Sequence, residues 1–186
     1  MSLDDALADA RRRMDQAVEK VSEDFGAIRT GRANPQILNK LTVEYYGTPT
    51  PLQQLANFSV PEPRILIVNP FDKGSTNQIE KAIRDSGLGL NPATDGGVIR
   101  CVFPELTEER RKDYIKMAKQ AAEEGKVAVR NVRRNVRDSM QKLEDDGDVG
   151  KDEHDRYAKS LEELTASHVT KIDQLLDQKE QDLLEV

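Results

Sequence analysis

The sequence predicts an α+β protein: a long antiparallel three-helix bundle with a small, β-rich α+β domain inserted between the first and second helices. Three observations carry this. Apolar residues recur at 3- and 4-residue spacing along three long stretches, the mark of an amphipathic helix with a coiled-coil-like seam. Between the first and second of these, over about residues 36–105, the pattern changes to short β-branched runs punctuated by Pro and Gly. Composition agrees: 33% of the 186 residues are charged, only 4% are aromatic and there is no Trp, which favours helices packed by aliphatic side chains.

In the first helix, Leu3, Leu7, Ala10, Met14, Val18, Val21, Phe25 and Ile28 form the seam. Asp4 and Asp5 suit the positive end of its dipole and Arg29 the other. The helix is expected to stop within Arg29–Pro35, with Gly31 in the left-handed conformation past its end and Pro35 blocking continuation.

In the insert, residues 41–46, 57–60, 64–68 and 98–103 read as strands. Gly47–Pro51 reads as a turn and Leu88–Gly97 as loop. Ser75 with Gln78 has the spacing of a capping box, opening a helix that ends at Gly87. Ile99, Cys101 and Phe103 fall on one strand face.

Pro104 ends this domain and Thr107 caps the second long helix, which runs to about Asp145. Its seam is Ile115, Ala118, Ala122, Gly125, Val129, Val132, Val136 and Leu143. Gly125 costs about 1 kcal/mol relative to Ala, so a close helix approach is expected there. After a turn at 146–150, a third helix is capped by Asp152 and packs through Tyr157, Leu161, Leu164, His168, Ile172, Leu175, Lys179 and Leu183. The expected domains are 1–30 with 106–186, and 31–105. Two thin joints at 30–34 and 104–106 connect them, giving Thr30, Gly31, Arg32, Pro104, Glu105 and Leu106 as hinge residues.

No catalytic constellation is legible. His154 and His168 stand 14 positions apart with no ligand partner at suitable spacing, so no metal is expected. They read as a surface and a seam-edge residue. Cys101 reads as a buried core thiol. Asp72–Thr76 lacks the order of a phosphate loop, and Asp145–Glu153 fails EF-hand spacing at Gly150. No enzyme activity and no cofactor are expected. One cysteine, no signal-peptide pattern and no apolar run of about 20 residues lead to the expectation of a soluble, cytoplasmic protein, away from membranes.

The stretch Val127–Arg137 stands out. Arg130, Arg133, Arg134 and Arg137 fall at i, i+3, i+4 and i+7, on one helix face. Arg offers a planar fork for phosphate that Lys does not. No acid stands four residues before Arg130, Arg133 or Arg134, and Asp138 reaches back only to Arg134. The face is therefore expected to lie largely open to an external anion. Net charge is −6, but the sign is uneven: residues 147–186 hold eleven Asp or Glu against five Lys or Arg. With no platform of exposed aromatics, structured RNA backbone is the expected partner. The competing reading is a coiled-coil interaction protein whose arginine face binds an acidic protein.

Five motifs then coincide: Ile28–Ala33 (IRTGRA), Glu44–Pro51 (EYYGTPTP), Leu88–Pro92 (LGLNP), Leu106–Arg111 (LTEERR) and Val127–Arg134 (VAVRNVRR). In order and spacing they resemble the bacterial ribosome recycling factor family, over the whole chain. The resemblance implies a helix bundle with a mobile α+β domain, expected to act as a monomer. It implies binding to the post-termination bacterial ribosome, mainly through large-subunit ribosomal RNA. With elongation factor G and GTP, the ribosomal subunits would be separated and mRNA and tRNA released. The residue matching the family's principal RNA-contacting arginine is Arg133, with Arg130 beside it and Arg29 a further candidate.

Overall fold

A computed structural model describes residues 1–185. The chain forms two compact units, one of Met1–Phe25 with Lys116–Glu180, the other of Gly26–Ile115 with the residues from Gln181 onward.

The first unit is a bundle of three helices, α1 (Leu3–Gly26), α3 (Glu108–Asp145) and α4 (Lys151–Leu184), of which α3 and α4 also extend into the second unit. Their 3/4 spacing becomes a buried stripe on each: Leu3, Ala6, Ala10, Met14, Val21 and Phe25 on α1, and Ala118, Ala122, Gly125, Val129, Val132, Val136 and Met140 on α3. Leu161, Leu164, His168 and Ile172 complete it from α4. The three helices approach closely at Gly125. A Cβ there would stand 2.2 Å from Val21 Cγ2 and 3.3 Å from Ile172 Cδ1. Hydrogen is the largest side chain the approach admits, which is the reason for a glycine in mid-helix.

His154 differs from expectation by being buried, and His168, expected on the packing face at the seam edge, is buried there. His168 is 1% exposed, with Nδ1 2.7 Å from the Leu164 carbonyl and Nε2 2.6 Å from Asp15 on α1. His154 is covered near Glu144, 3.1 Å away. Spacing placed His154 at the surface, but a bundle of three closes over more than one stripe of each helix.

In the second unit, β3 (Ala56–Glu62), β4 (Ile65–Pro70), β5 (Asn91–Asp95) and β6 (Val98–Val102) form an antiparallel sheet in the order β3-β4-β6-β5. One face packs α2 (Thr76–Asp85) over a core of Leu66, Val68, Ile79, Ile83, Ile99 and Cys101. A two-stranded ribbon, β1 (Thr42–Tyr45) with β2 (Thr48–Pro51), stands apart from that sheet.

Several expectations are corrected. Gly47–Pro51 is mostly strand β2, since an open ribbon edge admits Pro where a missing N–H breaks no ladder bond. Residues 91–95 form β5 and not loop; as an edge strand it tolerates Pro92 for the same reason. Ser75 makes no side-chain cap. Its Oγ donates to the Asp72 carbonyl at 2.6 Å, while Asp72 Oδ1 accepts from the Gly74 N–H at 2.9 Å. Helix α1 ends at Gly26, three residues before Arg29, and Gly31 is not among the residues of positive φ. At the start of α3 the Thr107 cap is formed, with Oγ1 accepting from the Arg110 N–H at 3.1 Å.

Candidate nucleic-acid interface

The four arginines of α3 do not present one uniform face. At about 100° per residue, Arg137 is rotated roughly 20° from Arg130 toward the valine stripe, Arg133 roughly 60° the same way, and Arg134 roughly 40° away. Arg133 therefore sits at the margin of the buried stripe. Its side chain is 31% exposed, its Nε is buried without a hydrogen-bond partner, and its Nη1 lies 3.2 Å from the Glu162 carboxylate of α4. Arg137 lies 3.7 Å from Asp138. Arg130 and Arg134 are exposed and carry no ion pair among the described residues.

This corrects the expectation of a largely open arginine face. Local spacing excluded partners on the same helix, but Glu162 reaches Arg133 from another, and Asp138 approaches Arg137 and not Arg134. The pair belongs to a ladder. Lys119, Lys126 and Arg133 are seven residues apart, so they share one flank of α3. Lys119 is 3.9 Å from Glu180, Lys126 pairs with Asp173, and Arg133 with Glu162, each acid on antiparallel α4. Asp173 raises the Lys126 pKa, holding that ammonium charged. The ladder is the flanking charge pattern of a coiled coil. The seven-residue period of Lys119, Lys126 and Arg133 is legible in the sequence, whereas the acids that face it come from another helix.

Arg29 lies in the interior of the second unit at 7% exposure. Its guanidinium donates to the Pro104 carbonyl and stands 5.7 Å over the Phe103 ring. Burial is the main cause that lowers its pKa, Tyr114 opposing. A side chain covered and engaged in this way presents little of its guanidinium to an external phosphate. It ties residue 29 to residue 104 across the two segments named as joints.

The remaining joint residues lie close by. Thr30 Oγ1 accepts from the Arg32 N–H at 3.2 Å, and Arg32 Nη2 is 2.8 Å from Glu185. Arg64 Nε donates to the Phe103 carbonyl at 3.0 Å, and its Nη1 is 3.3 Å from Glu105. Gly31, Arg32, Arg64, Glu105, Leu106 and Arg111 line a cavity of about 210 Å³. Arg110 is exposed, whereas Lys112 is paired with Glu108 at 3.1 Å.

Among the described residues no cluster of His, Cys, Asp or Glu could hold a metal ion, and no helix is long and apolar enough to cross a membrane.

A helical bundle with an arginine cluster on α3 and a small antiparallel-sheet domain inserted in sequence after α1 defines a class of two-unit α+β binding proteins. Comparison with known proteins narrows it. The family described as "Ribosome recycling factor" matches residues 21–184. The ribosome-recycling factor of Cutibacterium acnes is 58% identical over 184 residues, covering 99% of this chain and all of that protein. That of Acidothermus cellulolyticus is 56% identical with the same coverage. A solution structure of ribosome recycling factor superposes with a TM-score of 0.78 at 36% identity, covering 100% of this chain and 99% of that one. A second structure has a TM-score of 0.71 at 43% identity and covers both chains completely. It comes from models of the T. thermophilus factor and E. coli elongation factor G on the E. coli post-termination complex. The chain belongs to the ribosome recycling factor family.

Proposed function

We propose that this protein is a translation factor that recycles ribosomes. It binds the post-termination ribosome in the cytoplasm and, with elongation factor G and GTP, promotes separation of the subunits and release of mRNA and tRNA. The single observation that carries this reading is similarity along the whole chain to ribosome-recycling factors, at 58% identity in one case.

The chemistry asked of such a protein is binding and transmission of force, without a covalent step of its own. Arg130, Arg134 and Arg137 are the arginines best placed to meet ribosomal RNA phosphates, with Arg133 joining as its guanidinium turns between Glu162 and phosphate. Two of these side chains carry no competing ion pair, which supports the assignment. The segments at 30–34 and 104–106 act as the joint of a mobile α+β domain, dividing the chain into 1–30 with 106–186 and 31–105. Thr30, Gly31, Arg32, Pro104, Glu105 and Leu106 are its residues, and Arg29 braces it from within. A continuous helix of 38 residues, about 57 Å long, is stiff enough to carry load from one end to the other.

Sucrose-gradient analysis of post-termination ribosomes tests the proposal. With elongation factor G and GTP, addition of this protein should convert 70S particles to subunits. An unchanged profile rejects the function.

A further inference from the structure

Two aspartates of the chain are followed by glycine, in Asp95–Gly96 and Asp146–Gly147, and no asparagine is followed by glycine or serine. Such a pair can close on itself. The amide nitrogen after the aspartate attacks the side-chain carboxyl, and a glycine there leaves that nitrogen uncrowded by any Cβ. In sequence the two sites are equivalent, but the fold separates them.

Asp146–Gly147 is locked at the end of α3, where three consecutive N–H groups are engaged. Asp146 donates to the Lys142 carbonyl at 2.9 Å, Gly147 to that of Glu144 at 3.0 Å and Asp148 to that of Leu143 at 2.9 Å. With Gly147 at φ 77°, these bonds form a glycine-terminated helix cap. The nitrogen that would attack is held in it.

Asp95–Gly96 is open. Asp95 ends the edge strand β5 and pairs with Val98 across a two-residue turn. Gly96 and Gly97 fill that turn at φ 59° and 82°, the positive values such a hairpin requires. Asp95 and Gly96 are exposed. Among the described residues the Gly96 N–H has no hydrogen-bond acceptor and the Asp95 carboxylate has neither hydrogen bond nor ion pair. For the Gly96 nitrogen to reach Cγ, Asp95 must leave its extended conformation, which costs least at the last rung of an edge strand. Neighbouring anchors confine the opening. Thr94 Oγ1 donates to Glu80 Oε2 at 2.7 Å on one side, and Lys73 Nζ donates to the Gly97 carbonyl at 3.2 Å on the other.

We propose that Asp95 is a site of isoaspartate formation and that the product is a substrate for a carboxyl methyltransferase that uses S-adenosylmethionine. The Gly96 nitrogen bonds to Asp95 Cγ and gives up its proton. One carboxyl oxygen leaves as water, carrying that proton and one from solvent, and a five-membered succinimide remains. Water then opens the ring. Cleavage between nitrogen and Cγ restores aspartate. Cleavage between nitrogen and the main-chain carbonyl carbon leaves the chain running through Cγ and frees a main-chain carboxylate. An oxygen of that carboxylate takes the methyl group of the sulfonium, which departs as S-adenosylhomocysteine. Neither step depends on the recycling function.

The full-length protein is aged at neutral pH for several weeks and digested, and isoaspartate is located by electron-transfer mass spectrometry. Purified isoaspartyl methyltransferase with labelled S-adenosylmethionine counts it independently. Isoaspartate should accumulate at residue 95 about 2- to 10-fold faster than at residue 146, the factor for one hydrogen bond that must break first. In concentrated urea the two sites should react at similar rates. Asp95→Glu, which would have to close a six-membered ring, should remove the signal at 95 and most of the methyl incorporation. No isoaspartate at 95, formation at 146 as fast or faster in the native protein, or a difference that persists in urea overturns the site. Isoaspartate at 95 that takes up no methyl group overturns the assignment of the methyltransferase.

Discussion

Arg133 and Glu162 face one another across α3 and α4, with both Oε atoms within 3.4 Å of Arg133 Nη1. The contact gives the arginine matched to RNA binding a resting partner inside the protein. An exposed ion pair contributes about 0.2–1 kcal/mol to stability, an amount a ribosomal phosphate can outbid. Glu162 holds the guanidinium in a set orientation, and under the proposed RNA contact it would compete with phosphate for it.

Glu162→Gln should change Tm by no more than a few degrees and tighten ribosome binding about two- to five-fold at moderate salt. Arg133→Ala should weaken binding and reduce the salt slope by about one counterion. Filter binding across a salt series reads both. A loss of affinity in Glu162→Gln would show that the acid is needed for the bound state.

Gly125→Ala inserts a methyl group 2.2 Å from Val21 Cγ2, well inside contact distance. Overpacking of this kind costs about 1–3 kcal/mol, more than the helix propensity of Ala returns. Thermal unfolding should show a Tm several degrees lower. Val21→Ala in the same chain should recover part of the loss, since it removes the clashing methyl.

Replacing Arg29 by Ala should destabilise the second unit by about 1–3 kcal/mol, because the Pro104 carbonyl loses its donor and Phe103 its covering cation. Hydrogen exchange should quicken around residues 103–106. Ribosome affinity per folded molecule should stay near that of the wild type; a drop with the steep salt dependence of a lost phosphate contact would restore Arg29 to the RNA interface.

Cys101 is wholly buried on β6, and burial pushes its thiol up to about 12, with Glu80 a lesser cause. In the unfolded chain the thiol ionises near 9.0. The folded state thus holds its proton where the unfolded state has lost it, and this group's contribution to stability is full below pH 9 and declines from there toward 12. Native protein at pH 8 should resist a thiol reagent such as dithionitrobenzoate, and one equivalent should react after denaturation. Prompt native labelling would show that β6 opens.

The three helices and their seams were legible because each repeats one chemical pattern over 24 to 38 residues, and a long amphipathic stripe has few ways to be hidden other than in a bundle. Gly125 was legible as a close approach for a related reason: glycine is costly on an apolar stripe unless space requires it. The short strands were harder. Proline marks both a turn and an open ribbon edge, and only strand pairing distinguishes β2 and β5 from turn and loop.

By itself the sequence determined the period of the helices, the cluster of arginines at one helical spacing and the lack of legible catalytic chemistry, since these depend on neighbours along the chain. Only the tertiary structure decided which arginines are free. Arg133 meets Glu162 from 29 positions away and Arg29 meets Pro104 from 75, and no local spacing reports such partners. It also decided that Tyr46, one of two adjacent tyrosines in a plain strand-like run, is the one held in a strained turn and turned to solvent. Backbone conformation in a two-residue turn follows from how the flanking strands pair and twist, so it is settled only when the ribbon forms.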